Sequence, residues 1–193
     1  DVQADAIDFL MADGHKWLLA PEGLGVFYIS KMARERVEPT QFGWHMIETP
    51  GQYDLKTWKS AASARRYECG SPNMLGIHAL SASLSFLEEV GIEQIAQMVL
   101  AHQALLIQTI EQSPELELLS VADPQRGSGI VLFRHRDIPA EIVFRNLKSK
   151  GVVCALRGSG IRFSPHFYTP QSQLITALEW AAACPAQPSD ATG

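Results

Sequence analysis

A lysine on a short polar turn is the residue of this sequence best suited to chemistry. Gly14-His15-Lys16 separates the apolar run Ile7–Met11 from Trp17-Leu18-Leu19. An ammonium group between apolar segments is expected to be partly desolvated, which favours the neutral amine. A neutral lysine amine attacks carbonyl carbons and forms Schiff bases. The plainer alternative is a lysine at a strand end whose charged group extends into solvent.

Two arginines form a second candidate site, for an anion. Arg157 and Arg162 flank the turn Gly158-Ser159-Gly160, and their guanidinium groups could form a fork around a carboxylate or a phosphate. A surface arginine pair beside a β-turn explains the same spacing. The turn matches neither GxGxxG nor the P-loop pattern, so it is weak evidence for an unrelated phosphate-binding α/β domain.

Other catalytic patterns find little support. The six histidines lie far apart with no HxxxH or HxH pair, which argues against a metal site, and those other than His15 are expected on the surface or packed. A hydrolase triad has no starting residue because the sequence contains no GxSxG motif. Cys154 lies in an apolar segment and is expected to be a buried small hydrophobe rather than a nucleophile.

Composition excludes several classes of protein. The chain has 193 residues, of which 46% are hydrophobic and 19% charged, with a formal net charge of −5. These values argue against a disordered tail, a collagenous repeat or a disulfide scaffold, and the acidic balance argues against nucleic-acid binding. No apolar run approaches the roughly 20 residues that cross a bilayer, so no membrane role is expected. The three widely spaced cysteines suggest reduced thiols and a cytoplasmic protein.

The elements that would position these residues change in character along the chain. Two strands should flank the lysine turn, the second a buried strand at Val26–Ile29. Residues 31–72, which are punctuated by proline and glycine, should be mostly loop with short helical pieces. From Met74 to Gln112 the apolar spacing predicts two consecutive helices joined at Gly91, and we place a domain boundary there.

Residues 116–183 are predicted to contain both strands and helices. The predicted strands are Leu116–Val121, Gly129–Arg134, Val152–Ala155 and Ile161–Ser164, and the predicted helices are Pro139–Lys150 and a last helix, with Thr169 as N-cap and Pro170 in its first turn, that runs through Ala182. This pattern is typical of an α/β fold.

Three segments, taken in order, carry a family resemblance. Asp8–Gly25 contains the sequence DGHKWLLAPEGLG, Arg66–Asn73 reads RYECGSPN, and Arg162–Tyr168 reads RFSPHFY. They resemble the cofactor-lysine segment, the R-[FY]-E-x-G-[ST]-P-N block and the R-x-S-x-x-x-Y block of class V aminotransferases. This fold-type I pyridoxal-phosphate group includes cysteine desulfurases, selenocysteine lyases, kynureninase and isopenicillin-N epimerase-like proteins.

The resemblance implies an architecture and an activity. Residues 1–90 would be the C-terminal part of the cofactor-binding large domain, residues 91–184 the small α/β domain, and residues 185–193 a flexible tail. The chain would belong to a transferase or lyase that acts on an amino acid through pyridoxal 5'-phosphate.

The resemblance also implies roles at the cofactor. Lys16 would form the Schiff base with the cofactor and then move protons at the substrate Cα, while His15 would bind the phosphate. Asp13 occupies a cofactor-binding position where desulfurases often have a phosphate-binding serine. Because a carboxylate is unfavourable beside a phosphate, we expect Asp13 to hold a backbone amide instead.

Further implied roles concern a second subunit and the substrate. Gly70 and Ser71 would reach the phosphate of the neighbouring subunit's cofactor, which implies a homodimer with shared active sites. Arg162 would clamp the substrate α-carboxylate, with Arg157 near the same site.

Two departures from the family pattern refine the expectation. Desulfurases carry a persulfide-forming cysteine between their two C-terminal arginines, and only Gly158–Ile161 lies there in this chain. This favours the epimerase-like and kynureninase-like branch. The family's aspartate that pairs with the pyridinium nitrogen precedes the lysine by more than 15 residues. We therefore expect the chain to be the C-terminal half of a longer enzyme, inactive or nearly so by itself.

Two other interpretations stay open. One is a cysteine desulfurase or selenocysteine lyase that uses a cysteine from another position, such as Cys154. The other is a non-catalytic fragment that serves as a structural or dimerisation module and exposes an apolar surface.

Overall fold

The computed structural model of the chain describes residues 1–186. The described residues divide into two compact units, Asp1–Glu89 and a second unit that begins at Val90. Each unit contains strands and helices, so the predicted α/β class is confirmed. The predicted flexible tail comprises residues 185–193, of which residues 187–193 lie outside the described residues.

A β-hairpin carries the lysine turn in the first unit. Strand β1 (Phe9–Asp13) pairs antiparallel with β2 (Gly25–Ile29), and Asp13 lies opposite Gly25. The two predicted strands are confirmed, and the predicted burial of β2 is confirmed for Ile29 but is wrong for Phe27. Phe27 on β2 is 43% exposed, because one face of this two-stranded sheet is open to solvent.

Residues 31–72 of the first unit are mostly loop with short helical pieces, as predicted, and a longer helix follows. Helix α1 (Lys31–Arg36) is capped by Ser30, a 3-10 turn spans Ala64–Tyr67, and helix α2 spans Met74–Val90. The loop backbones approach closely, since a Cβ on Gly43 would collide with the Cys69 carbonyl oxygen.

Gly91 separates α2 from helix α3 (Ile92–Gln112), which confirms the predicted two-helix arrangement. Its φ of 91° lies in the left-handed region that glycine adopts without steric cost.

The second unit is a four-stranded antiparallel sheet with helices against one face. The sheet order is β3-β4-β6-β5, formed by Leu116–Leu118, Val131–His135, Gly160–Phe163 and Ala155–Arg157, and the remaining helices are α4 (Ala140–Ser149) and α5 (Gln171–Ala182). Phe133 and Ile161 project from the sheet into a core shared with Leu106, Val143 and Leu178 of the helices.

Some predicted boundaries in this unit are wrong. The strand predicted at Val152–Ala155 begins only at Ala155, because the Val152 amide closes the end of α4 on the Leu147 carbonyl and Val153 is fully exposed. The N-cap of α5 is Pro170, without a side-chain cap hydrogen bond, rather than Thr169.

Two further findings concern the described residues. No single helix among them is long and apolar enough to cross a membrane, and α2 and α3 pass that test only as a bent pair. Within residues 1–186, no group of three or more His, Cys, Asp and Glu side chains could hold a metal ion.

Candidate functional site

The lysine turn is built by backbone hydrogen bonds at the open end of the hairpin. The Gly14 amide donates to the Leu24 carbonyl at 3.0 Å, and the Ala20 amide donates to the Gly14 carbonyl at 2.8 Å. The Leu19 amide donates to the Lys16 carbonyl, and Leu19 adopts a φ of 57°, unusual for a residue with a Cβ. Lys16 therefore follows the end of β1 on a tight, internally bonded turn.

Lys16 is more exposed than the sequence predicts. Its side chain is 63% exposed, and its Nζ donates a hydrogen bond to the Asp13 carboxylate. The expected partial desolvation is therefore wrong, because the apolar neighbours Met11 and Trp17 are themselves 71% and 37% exposed. The partner of the Asp13 carboxylate among the described residues is this ammonium rather than the expected backbone amide.

The ion pair changes the pKa of Asp13. Lys16 lowers the pKa of Asp13 below its ordinary value of 3.8, first through the hydrogen bond and second through charge attraction. The stabilisation from this pair is therefore present above pH 3.8 and lost as the pH falls through the folded-state pKa. In an NMR titration of the Asp13 carboxyl carbon, we expect Lys16→Ala to raise the midpoint and Lys31→Ala to leave it unchanged. A midpoint unaffected by Lys16→Ala would contradict the pairing.

Gly14 is required by the close packing of the turn. A Cβ at this position would lie 2.8 Å from the Leu24 carbonyl oxygen, a contact that forces the backbone to shift. We expect Gly14→Ala to destabilise the first unit by about 1–3 kcal/mol, the usual cost of overpacking. The measurement is hydrogen exchange across residues 9–29. Gly70→Ala is the matched stability control, since no atom lies within 4 Å of its Cβ position; equal effects of the two substitutions would refute the packing argument.

Gly70 and Ser71 lie elsewhere in the first unit. Both are exposed and line a cavity of about 860 Å³ between β2, the loop before α2, and α2 itself. Asp13, His15 and Lys16 are not among the residues that line it. Lys16 and Asp13 thus form an ion pair, and neither of them lines the cavity that Gly70 and Ser71 line.

Tyr67 and Asn73, on either side of Gly70, hold the loop in shape, a role that is not predicted above from the sequence. Tyr67 donates its hydroxyl hydrogen bond to the Val37 carbonyl at 3.0 Å and packs edge-on against Phe27. Asn73 accepts from the Gly76 amide at the start of α2 and donates to the Gly23 carbonyl. An asparagine directly before an apolar helix is a recognisable N-cap signal, which could have identified this role.

Arg157 and Arg162 lie on adjacent strands of the second unit. Arg162 on β6 is half-buried, and its Nε is buried without a hydrogen-bond partner among the described residues. Arg157 ends β5, is exposed, and donates from Nη1 to the Leu156 carbonyl.

The cysteines and histidines have structural surroundings. All three cysteines are free, and burial raises the pKa of the half-buried Cys154, which disfavours its thiolate. His102 and His135 are buried, as expected for packed histidines, and burial lowers the pKa of His102.

Known proteins resemble this chain over most of its length. A probable cysteine desulfurase of Halalkalibacterium halodurans is 35% identical over 79% of this chain and 36% of its own length. The uncharacterized aminotransferase YcbU of Bacillus subtilis is 29% identical over 95% of this chain and 47% of its own. The chain thus spans less than half the length of either relative.

The fold is matched by solved structures as well. A mutant of C-DES with glycine covalently linked to the PLP cofactor superposes with a TM-score of 0.84, at 22% identity, over 96% of this chain and 48% of that protein. At this identity the likeness shows the fold alone. The family model for class-V aminotransferases matches residues 1–172. The chain therefore belongs to the class-V aminotransferase family.

Proposed function

We propose that this chain carries the cofactor-attaching lysine and the carboxylate-binding arginine of a pyridoxal-phosphate-dependent enzyme that acts on an amino acid. Family membership supports the reaction class, and the C-DES structure with its PLP cofactor supports the choice of cofactor. The observation that carries the proposal is the position of Lys16, a primary amine 63% exposed on a tight turn and held by Asp13.

The residues of this chain fit that cofactor. An aldehyde requires an accessible amine, which Lys16 provides. A phosphate requires N–H and O–H donors, which His15 and Ser71 can supply because both are exposed. Gly70 leaves open space beside Ser71, since no atom lies within 4 Å of its Cβ position. When bound, pyridoxal phosphate supplies an electron sink for the charge that develops at the substrate Cα.

The side chains of the lysine turn have distinct roles in this proposal. Lys16 would hold the cofactor aldehyde through its amine once the amine has lost its proton, and, when free of the cofactor, would accept and return the proton at the substrate Cα. Asp13 is a positioning residue that holds the charged Lys16 amine on the turn. Asp13 does not bind the phosphate, because two anions repel each other. His15 donates a ring N–H to the phosphate.

Gly70 and Ser71 support a homodimer in this proposal. They line a cavity to which Asp13, His15 and Lys16 do not contribute, so they are better suited to the phosphate of a cofactor held by a second copy of the chain. The test is sedimentation in the analytical ultracentrifuge, in which we expect pyridoxal phosphate to increase the fraction of dimer.

A cytoplasmic location, inferred from the three free cysteines, stays a prediction.

The substrate carboxylate is assigned to Arg162. Its buried Nε has no hydrogen-bond partner among the described residues, and a carboxylate bound there would satisfy it. Arg157 lies close to the same position on the neighbouring strand.

A cysteine desulfurase is the second candidate, favoured by the 35% identical relative. The raised pKa of Cys154 weighs against this cysteine as the persulfide-forming residue. Sulfide release from cysteine that is lost in Cys154→Ala would support the second candidate. A non-catalytic dimerisation module is the third, and normal folding without cofactor binding would support it.

The test of the proposal is an absorbance titration of the chain with pyridoxal phosphate and, separately, with pyridoxal, which lacks the phosphate. We expect the phosphate-bearing compound to bind at least about tenfold more tightly, because of its charge-assisted hydrogen bonds. His15→Ala should reduce the difference in affinity between pyridoxal phosphate and pyridoxal. Equal binding of the two compounds would contradict the proposed phosphate contacts.

A further inference from the structure

In the second unit, helices α3, α4 and α5 pack against one face of the sheet, and the opposite face carries arginines. On β4 and β6, Val131, Phe133, Ile161 and Phe163 point into the core beneath the helices. Because side chains alternate along a strand, Arg162 projects from the opposite face, which we call the open face. The strand register pairs Arg162 with Leu132 on β4 and with Ala155 on β5.

Arg157 shares the open face with Arg162. It lies two residues after Ala155 on β5, so its side chain points the same way, and it stands diagonally across from Arg162. Diagonal neighbours in an antiparallel pair have Cα atoms roughly 7–8 Å apart, within reach of long side chains. The residue opposite Arg157 is Gly160, and the side chains of Leu119 and Leu132 pack over it, so that apolar groups lie beside the two arginines.

The positive charge of these two arginines is uncompensated within the described residues. Glu117 pairs with Arg134 at 2.8 Å and lies 4.0 Å from Arg136. In contrast, no acidic side chain of residues 1–186 lies within ion-pair distance of Arg157 or Arg162. The open face therefore holds one neutralised arginine and two arginines that lack a counter-charge.

The hydrogen bonding of the pair is also incomplete. Arg162 has a buried Nε without a partner, a costly arrangement for a cation unless a ligand supplies an acceptor. Arg157 uses Nη1 for the adjacent Leu156 carbonyl, which leaves most of its N–H donors for another acceptor.

We infer that Arg162 and Arg157 form a two-point anion site for a short dicarboxylate, with one carboxylate on each guanidinium group. This inference rests on the proposed function, and it names the substrate class as an amino acid with a carboxylate side chain, or the corresponding oxo acid. Arg162 binds the α-carboxylate, and Arg157 determines specificity by binding the distal carboxylate. Separate arginine positions suit two separated charges better than one compact anion.

The test measures binding of succinate, butyrate and inorganic phosphate to the chain by NMR chemical shifts at matched ionic strength. Butyrate has the same carbon chain length with one carboxylate, and phosphate has a similar charge to succinate on a single centre. We expect succinate to bind about tenfold more tightly than either, the usual gain from one added charge-assisted hydrogen-bonded pair.

Substitutions show which arginine is responsible for the higher affinity for succinate. Arg157→Gln should lower succinate affinity about tenfold, to the butyrate level, and leave butyrate affinity unchanged. Arg162→Gln should weaken both ligands. Arg145→Gln is the matched control, since Arg145 is exposed on α4, which packs against the helix-covered face. It removes the same charge and should change neither affinity.

The outcomes separate this inference from the proposed function. Equal affinity for succinate and butyrate, or for succinate and phosphate, would overturn the inference. So would an Arg157→Gln variant that weakens butyrate as much as succinate, because both arginines would then hold a single carboxylate. If Arg145→Gln lowered the affinity for succinate as much as Arg157→Gln does, binding would be due to general charge attraction and the inference would be wrong. Pyridoxal phosphate binding, measured separately, tests the proposed function whichever of these results is found.

Discussion

Replacing Lys16 by alanine abolishes covalent attachment of pyridoxal phosphate to the chain, which is the largest effect that we expect from one substitution. The reason is chemical, because the aldehyde needs an amine and this amine is presented by the turn that Gly14 and Leu24 close. The measurement is the absorbance change on adding pyridoxal phosphate to the purified variant.

Two controls separate the amine from the charge. Lys16→Arg keeps a cation beside Asp13 but removes the primary amine, so it should also abolish attachment. Lys31→Ala removes another exposed lysine of the first unit and should leave attachment intact. Full attachment in Lys16→Arg would show that another lysine is used.

The second large effect concerns the core beneath the open face. Phe133 is fully buried and packs edge-on against Phe163 at a centroid distance of 5.0 Å. We expect Phe133→Ala to lower the free energy of unfolding by about 3–5 kcal/mol, through lost burial and the cavity left behind. Hydrogen exchange of the β4 and β6 amides in urea measures this locally, as a chain of two units requires.

Val153→Ala is the control for this substitution. Val153 is fully exposed, so its truncation should change the free energy of unfolding by less than about 0.5 kcal/mol. Because Phe133 supports the strand next to Arg162, carboxylate binding should be lost together with protection of the sheet. Carboxylate binding retained in a chain whose sheet has lost protection would contradict the link between this sheet and the arginine pair.

Much of the fold could be predicted because its signals are local. Gly91 interrupts an apolar periodicity and adopts a φ that suits glycine, so the boundary between α2 and α3 is visible in the sequence. The hairpin around the lysine turn is marked by β-branched and aromatic residues and by glycines. The start of β5 depends on which residues pair across the sheet, and local propensity does not encode that pairing.

The site was less predictable because it depends on environment. The sequence places apolar residues beside Lys16, but Met11 and Trp17 are exposed and do not desolvate it. The spacing of Arg157 and Arg162 indicates an arginine pair, yet only the register shows that both project from one face. Of the residues that line the cavity, Gly70 and Ser71 could be identified only through the resemblance of their motif.

Peptide mapping after borohydride reduction shows whether Lys16 is the residue that attaches the cofactor. Pyridoxal phosphate is added to the chain, borohydride makes the linkage permanent, and mass spectrometry locates the modified residue. We expect one labelled lysine at substoichiometric cofactor, Lys16, in the peptide that contains Asp13 and His15. Label spread over exposed lysines such as Lys31 and Lys56, or a chain with no label, would contradict it.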